Sequence, residues 1–137
     1  MVRPDVIHKR LMKVEEYLAI LQGMRRHSRE AFLKDPEKYG SAERFLQLAI
    51  EALADMGSHV IADLDLGPVD STADIPRILA EKEYLPEALC EKWIRMIGFR
   101  NILVHEYLEI DRNTVYDVLR DHLNDVLALS QAFRRFI

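Results

Sequence analysis

The segment Arg100–Tyr107, RNILVHEY, holds the side chains of this 137-residue chain best suited to chemistry. Histidine titrates near neutrality and is the usual general acid or base, worth about 10²–10⁴-fold in rate. Arginine stays protonated and clamps phosphate oxygens, most usefully as negative charge builds on them. Asparagine can orient a ribose hydroxyl or a phosphate. Arg100, Asn101 and His105 therefore suit cleavage of RNA by attack of a 2′-hydroxyl on the adjacent phosphate, chemistry that needs no metal-binding carboxylate cluster. Spacing alone does not establish this, because an Arg and a His five apart on a helix are commonly a surface or capping pair.

A long helix must present these residues, and its apolar pattern is unusual. At about 100° per residue from Arg100, Met96, Phe99, Ile102 and Leu103 cover an arc of about 200–320°, a core face. Trp93, Ile97 and Val104 form a second apolar arc at about 20–60°. One stripe suffices for the surface helix of a monomer. Two stripes predict one burial against the chain's own bundle and one against a partner. Tyr107 falls about 20° from Arg100, whereas Asn101 and His105 lie at about 100° and 140°. Arg100 and His105 would converge poorly within one regular helix. A two-fold dimer would bring Arg100 of one chain towards His105 of the other.

The remaining elements also read as helices, with no strand-like alternation. A first helix starts near Pro4–Asp5, carries Val6, Ile7, Leu11, Val14, Leu18 and Leu21, and fades around Gly23–His27. Ser28–Gly40 holds a short helical turn interrupted at Asp35–Pro36 and Tyr39–Gly40. Ser41 is an N-cap candidate for a second long helix reaching about Leu64. Asp63–Asp74, with Gly67–Pro68 and four aspartates, is a solvated loop without calcium-loop spacing. A short helix, Ile75–Lys82, follows. Pro86 suits the first turn of the third long helix, which runs to about Tyr107. Asp111–Asn113 turn the chain into a last helix, Thr114–Phe136. The expected architecture is a single all-α domain over 1–137, an antiparallel four- to five-helix bundle acting as a dimer.

Composition narrows the function further. Half the residues are apolar (49%), 31% are charged and the formal net charge is -4, so the chain folds as a globule and bulk charge does not steer it to nucleic acid. Contact with RNA must come from a local basic patch. The one cysteine, Cys90, closes no internal disulfide and forms no zinc spacing. No signal-like run opens the chain and no stretch of 18 apolar residues occurs, so a cytoplasmic protein with no membrane partner is expected. Neither a P-loop nor a dinucleotide fingerprint is present, and no cofactor is expected.

Three other groups could carry function. Glu51, Asp55 and His59 form an i, i+4 ladder that reads first as a salt-bridged ladder and second as a metal site or a support for an RNA cleft. A di-iron bundle needs Glu-x-x-His pairs, and none occurs. Arg25, Arg26, His27 and Arg29 are the clearest basic cluster, either a phosphate or partner patch or a solvated helix end. His8 and His122 read as surface residues.

Arg100, His105 and Tyr107 reproduce the Arg-x4-His-x-Tyr motif of HepT-type HEPN proteins, the toxins of HEPN/MNT toxin–antitoxin pairs. The context FRNILVHEY and the block Glu43–Val60, ERFLQLAIEALADMGSHV, are similar to the same family, as are length and helix order. The resemblance implies a HEPN-like fold and a metal-independent endoribonuclease of a type VII-like toxin–antitoxin pair. Its composite site would lie in the cleft of a homodimer, with Arg100, Asn101 and His105 as site residues. It also implies a minimal nucleotidyltransferase antitoxin that transfers AMP to Tyr107. The competing reading is a non-catalytic helical binding partner of that nucleotidyltransferase.

Overall fold

The computed structural model describes residues 1–137 as seven α-helices without a strand: α1 (Pro4–Met24), α2 (Arg29–Lys34), α3 (Pro36–Asp63), α4 (Asp74–Glu81), α5 (Glu87–His105), α6 (Arg112–Asp121) and α7 (Leu123–Phe133). Two 3-10 turns, Tyr107–Glu109 and Arg134–Phe136, follow α5 and α7. The long rods are α1, α3, α5 and the α6–α7 pair, which matches the expected bundle. α3 lies at its centre, against α1 on one side and α4, α5 and α6 on others. One apolar window of α3, of mean hydropathy 1.2, satisfies a membrane-span criterion. In this fold that apolarity is used against the neighbouring helices: Leu46, Ala49, Ile50, Leu53, Met56 and Val60 are all buried.

Local chemistry moves several boundaries. α3 starts at Pro36, five residues before Ser41. Asp35 is its N-cap, extended as a residue before proline prefers, and its Oδ1 accepts from Glu37 N at 3.0 Å. Proline is tolerated at the first helical position, and Gly40 weakens the helix interior without breaking it. Ser28 caps α2, its hydroxyl accepting from Ala31 N at 3.2 Å. Pro86 is the N-cap of α5 rather than a residue of its first turn. The expected single C-terminal helix breaks at His122 (φ -117°, ψ 3°) into α6 and α7. Asp111 caps α6 by accepting from Asn113 N at 2.9 Å.

Both apolar arcs of α5 are used within one chain. Trp93 and Ile97 are buried on the side of α3 and α4, where Gly57 of α3 lets the indole come close. Trp93 also meets Phe133 of α7 edge-on, ring centroids 5.8 Å apart. Met96 and Leu103 are buried, and Met96 and Phe99 face Val118 and Asp125 across a groove. The second stripe thus meets two neighbours in the same bundle, and its apolarity does not require a partner. From Arg95 onward, what α5 leaves to solvent is Arg95, Gly98, Asn101, Ile102 and His105. These lie on one arc of about 120°.

Candidate active site: the end of α5 and its acidic neighbour

α5 ends at His105, where Glu106 leaves helical geometry at φ -123°, ψ 37°. Tyr107 therefore does not continue the helix, and the angle of about 20° from Arg100 that a regular helix would give it does not hold. Tyr107 opens the 3-10 turn and is 63% exposed, beside Leu108 at 86%. His105 lies in the last helical turn, also exposed, and shares a shallow 260 Å³ cavity with Glu106, Tyr107, Leu108 and Glu109.

Arg100 sits elsewhere. Its Nε and Nη2 both donate to Oε1 of Glu51 on α3, at 2.9 and 2.5 Å. Its Nη1 donates to Oδ1 of Asn101 at 3.3 Å. Gln47, one turn before Glu51, donates to the same Oε1 at 3.1 Å. Burial pushes the Glu51 carboxyl up, but hydrogen bonds from Gln47 and Arg100 and the charges of Arg100 and Arg44 outweigh it and hold the carboxyl below its ordinary value. Glu51, Arg100 and Asn101 line a 160 Å³ cavity with Ile50, Ala54, Thr72 and Ile97. The structure thus brings Arg100 and Asn101 together and leaves His105 and Tyr107 at a second cavity. Within one chain the four motif residues form no single site.

The polar ladder on α3 divides. Glu51 turns to α5, whereas Asp55 pairs with Arg10 and His59 on the α1 side. Arg3 reaches His59 Nδ1 at 3.4 Å and pairs with Asp63 at 3.0 Å. The lower part of the ladder therefore pins α1 to α3. No three His, Cys, Asp or Glu side chains are grouped so as to hold a metal ion. Glu51 as a direct partner of Arg100 is the residue the motif did not reveal. Its sequence signals are its place in the Glu51–Asp55–His59 ladder, read as a possible support for an RNA cleft, and in the family-like block Glu43–Val60.

The basic cluster is structural. Arg25 donates to the Leu119 carbonyl at 3.1 Å, Arg26 to the Gly23 carbonyl at 2.7 Å, and Arg29 pairs with Asp117 at 2.5 Å while lying over the Tyr116 ring. The Tyr116 hydroxyl donates to the His27 carbonyl at 2.8 Å. The bonds of Arg25, Arg29 and Tyr116 tie the end of α1 and α2 to α6, whereas that of Arg26 stays within the end of α1. Cys90 is a buried core residue whose thiol burial pushes up. His122 is exposed and pairs with Asp125 at the break between α6 and α7.

Comparison with known proteins places this geometry. A family model described as ribonuclease HepT-like matches residues 14–133. An mRNA nuclease HepT of Shewanella oneidensis is 34% identical over 80 residues, 58% of this chain and 60% of that protein's own length. A tRNA nuclease HepT of Aphanizomenon flos-aquae is 30% identical over 115 residues, 84% of this chain and 78% of that protein. Among solved structures, a tri-AMPylated HEPN toxin of Shewanella oneidensis in complex with MNT antitoxin superposes with a TM-score of 0.89 at 25% identity, covering 96% of this chain and 98% of that one. A cytosolic protein of unknown function from Bacillus subtilis shares the fold at TM-score 0.84 and 22% identity, over 98% of this chain and 90% of its own. On the extent of the family match and the length shared with the second nuclease, this chain belongs to the ribonuclease HepT-like family, whose curated relatives are RNA-cleaving enzymes.

Proposed function

We propose that the chain is a metal-independent endoribonuclease toxin that works as a homodimer. In this reading it is silenced when a minimal nucleotidyltransferase antitoxin transfers AMP to Tyr107. The observation that carries the dimer is the separation within one chain: Arg100 faces Glu51, and His105 occupies another cavity at the end of α5. A second copy packed on the exposed arc of Gly98, Asn101, Ile102 and His105 would supply the missing proximity, each chain giving its arginine to the other's histidine.

The chemistry follows from the groups. Neutral His105 takes the proton of a ribose 2′-hydroxyl as the oxygen attacks phosphorus. The P–O5′ bond breaks, and an imidazolium, from His105 or its two-fold mate, protonates the leaving 5′-oxygen. The products are a 2′,3′-cyclic phosphate and a 5′-hydroxyl end. Arg100 stabilises charge on the non-bridging oxygens. Asn101, whose Oδ1 already accepts from Arg100, keeps both amide protons to donate to phosphate or ribose.

AMP on Tyr107 would place a phosphate and a nucleoside beside His105 at the mouth of that cleft. The added anion repels RNA and the added bulk fills the site. The exposure of Tyr107 makes its hydroxyl available to a transferase without unfolding.

The test is cleavage of RNA in EDTA by unmodified protein beside His105→Ala. Wild type is expected to release cyclic-phosphate ends and the variant to lose at least about 10²-fold. Equal cleavage by the two would remove His105 from catalysis, and no cleavage by either would favour the non-catalytic binding partner. Incubation with the antitoxin and ATP should add AMP mass that disappears in Tyr107→Phe. Mass retained in that variant would move the modification to another residue.

A further inference from the structure

Arg44 has no hydrogen bond or ion pair, and this sets it apart from its neighbours. Apart from Arg95, every other arginine is bonded to a carboxylate or a carbonyl, from Arg3 on Asp63 to Arg135 on the Tyr84 carbonyl. Arg44 is exposed on α3. It precedes Glu51 by seven residues, which puts it about 20° away around the helix and about 10.5 Å along it, on the same side. Gln47 lies between them and is bonded to Glu51. The Arg44 charge also reaches the Glu51 carboxylate and helps hold it ionised.

The register of α3 on α5 gives Arg44 its place in the site. Glu51 meets Arg100, and Gly57 meets Trp93, so the two helices run antiparallel. Two turns back along α3 from Glu51 therefore correspond to two turns on along α5 from Arg100, which is the helix end at His105 and Tyr107. A contact nearby agrees: Glu43, next to Arg44, pairs at 3.7 Å with Arg112, just beyond that end. Arg44 is thus a free cation level with His105, on a polar strip that continues through Gln47 to Glu51 and Arg100.

We infer that Arg44 is a second phosphate-binding residue, holding a phosphodiester of single-stranded RNA next to the one cleaved between Arg100 and His105. This rests on the nuclease reading above. A strand lying across α3 from Arg100 to Arg44 would meet a cation at each end of the strip, with the Gln47 amide between them and the Glu51 carboxylate turned to Arg100 and Gln47. The overall charge of -4 makes such a local pair the means of holding RNA. A solvent-exposed arginine with no hydrogen bond or ion pair of its own leaves its guanidinium N–H groups to a ligand.

The experiment measures binding of a 2′-O-methyl oligoribonucleotide, which lacks the attacking hydroxyl, to the full chain over a range of salt concentrations. Wild type is compared with Arg44→Gln and with Arg134→Gln, which removes the same charge from a residue paired with Glu15 at the other end of the chain. Arg44→Gln is expected to weaken binding at low salt and to flatten the slope of log K against log salt by about 0.7, the share of one phosphate on a single strand. Arg134→Gln should keep the wild-type slope. An unchanged slope in Arg44→Gln overturns the subsite even if affinity falls, because the residue then acts through the fold. Cleavage of the unmethylated oligomer by wild type is run alongside. No cleavage overturns the nuclease reading and the subsite together, whereas cleavage with an unchanged Arg44→Gln slope overturns the subsite alone.

Discussion

Replacing Glu51 tests what holds Arg100. Two guanidinium N–H groups converge on one carboxylate oxygen, at 2.9 and 2.5 Å, and Gln47 adds a third donor at 3.1 Å. Hydrogen bonds to charged groups contribute about 1.5–3 kcal/mol when buried. Here the side chains are 27% and 35% exposed, so water recovers part of the loss in a variant. Glu51→Ala should therefore lower stability by about 1–2 kcal/mol, or about 4–8 °C in Tm for a domain of this size. The catalytic effect should be larger. Freed from α3, the guanidinium samples positions an ångström or more from its present one, and misplacement on that scale costs about 10–100-fold in rate. Glu51→Gln keeps an accepting oxygen at the same reach and should fall between wild type and Glu51→Ala in both measures. The assay pairs urea unfolding with kcat on RNA at saturating substrate. A Glu51→Ala protein with lowered unfolding free energy but undiminished kcat would refute the positioning argument. A raised kcat would show that Glu51 holds Arg100 away from its task.

Three more perturbations bear on the fold and the assembly. Gly57→Ala gains about 1 kcal/mol of helix propensity, but its Cβ would stand 2.4 Å from Ile75 Cγ2 and 3.0 Å from Trp93 Cη2. Overpacking of about 1–3 kcal/mol should leave a net loss of about 1 kcal/mol in urea unfolding, and a net gain would show that α4 yields freely. A Cβ added at Gly98, which is exposed, meets nothing within 4 Å in one chain, so the Tm of Gly98→Arg as a monomer should not fall. Light scattering should then show dissociation if two copies pack on that face of α5, and a variant that stays dimeric at micromolar concentration excludes the face. Acid should destabilise the fold. Asp35, Glu51, Asp63, Asp74 and Asp121 all have lowered pKa values, so the stability they contribute is present above the unfolded values of about 4 and is lost as pH falls through the folded ones. Glu43, pushed up by burial despite Arg112, works in the opposite sense. Stability that rose between pH 5 and pH 3 would contradict the balance of five against one.

Which parts of this were legible in the sequence follows from the range of the interactions. Helical periodicity reports a local property, and it located α1, α4 and the bodies of α3 and α5. Boundaries depend on single caps: Gly40 and Ser41 looked like a break and a start because the stronger pair, Asp35 as cap and Pro36 at the first position, lies just before them. The second stripe on α5 is a covered face whose cover lies in the same chain, since periodicity shows that a face is covered and not by what. Trp93 is covered by Gly57 and Phe133, 36 and 40 residues away in sequence. The motif could be read directly, whereas the Glu51–Arg100 bond spans 49 residues and depends on the relative register of two helices. The same limit applies to Arg25 and Arg29, whose cations are taken up by α6.

The exposed position of Tyr107, past the last turn of α5, also bears on how long each form of the protein persists. A group attached to a side chain that faces water in both folded and unfolded chains leaves the folding equilibrium where it was. If Tyr107 is the acceptor proposed above, adenylylated and unmodified chains should have the same folding free energy and expose the unfolded state to proteases equally often. Their ratio in a cell would record only the opposed rates of adding and removing the nucleotide, and a silenced pool would neither decay faster nor accumulate by being sturdier than the active one.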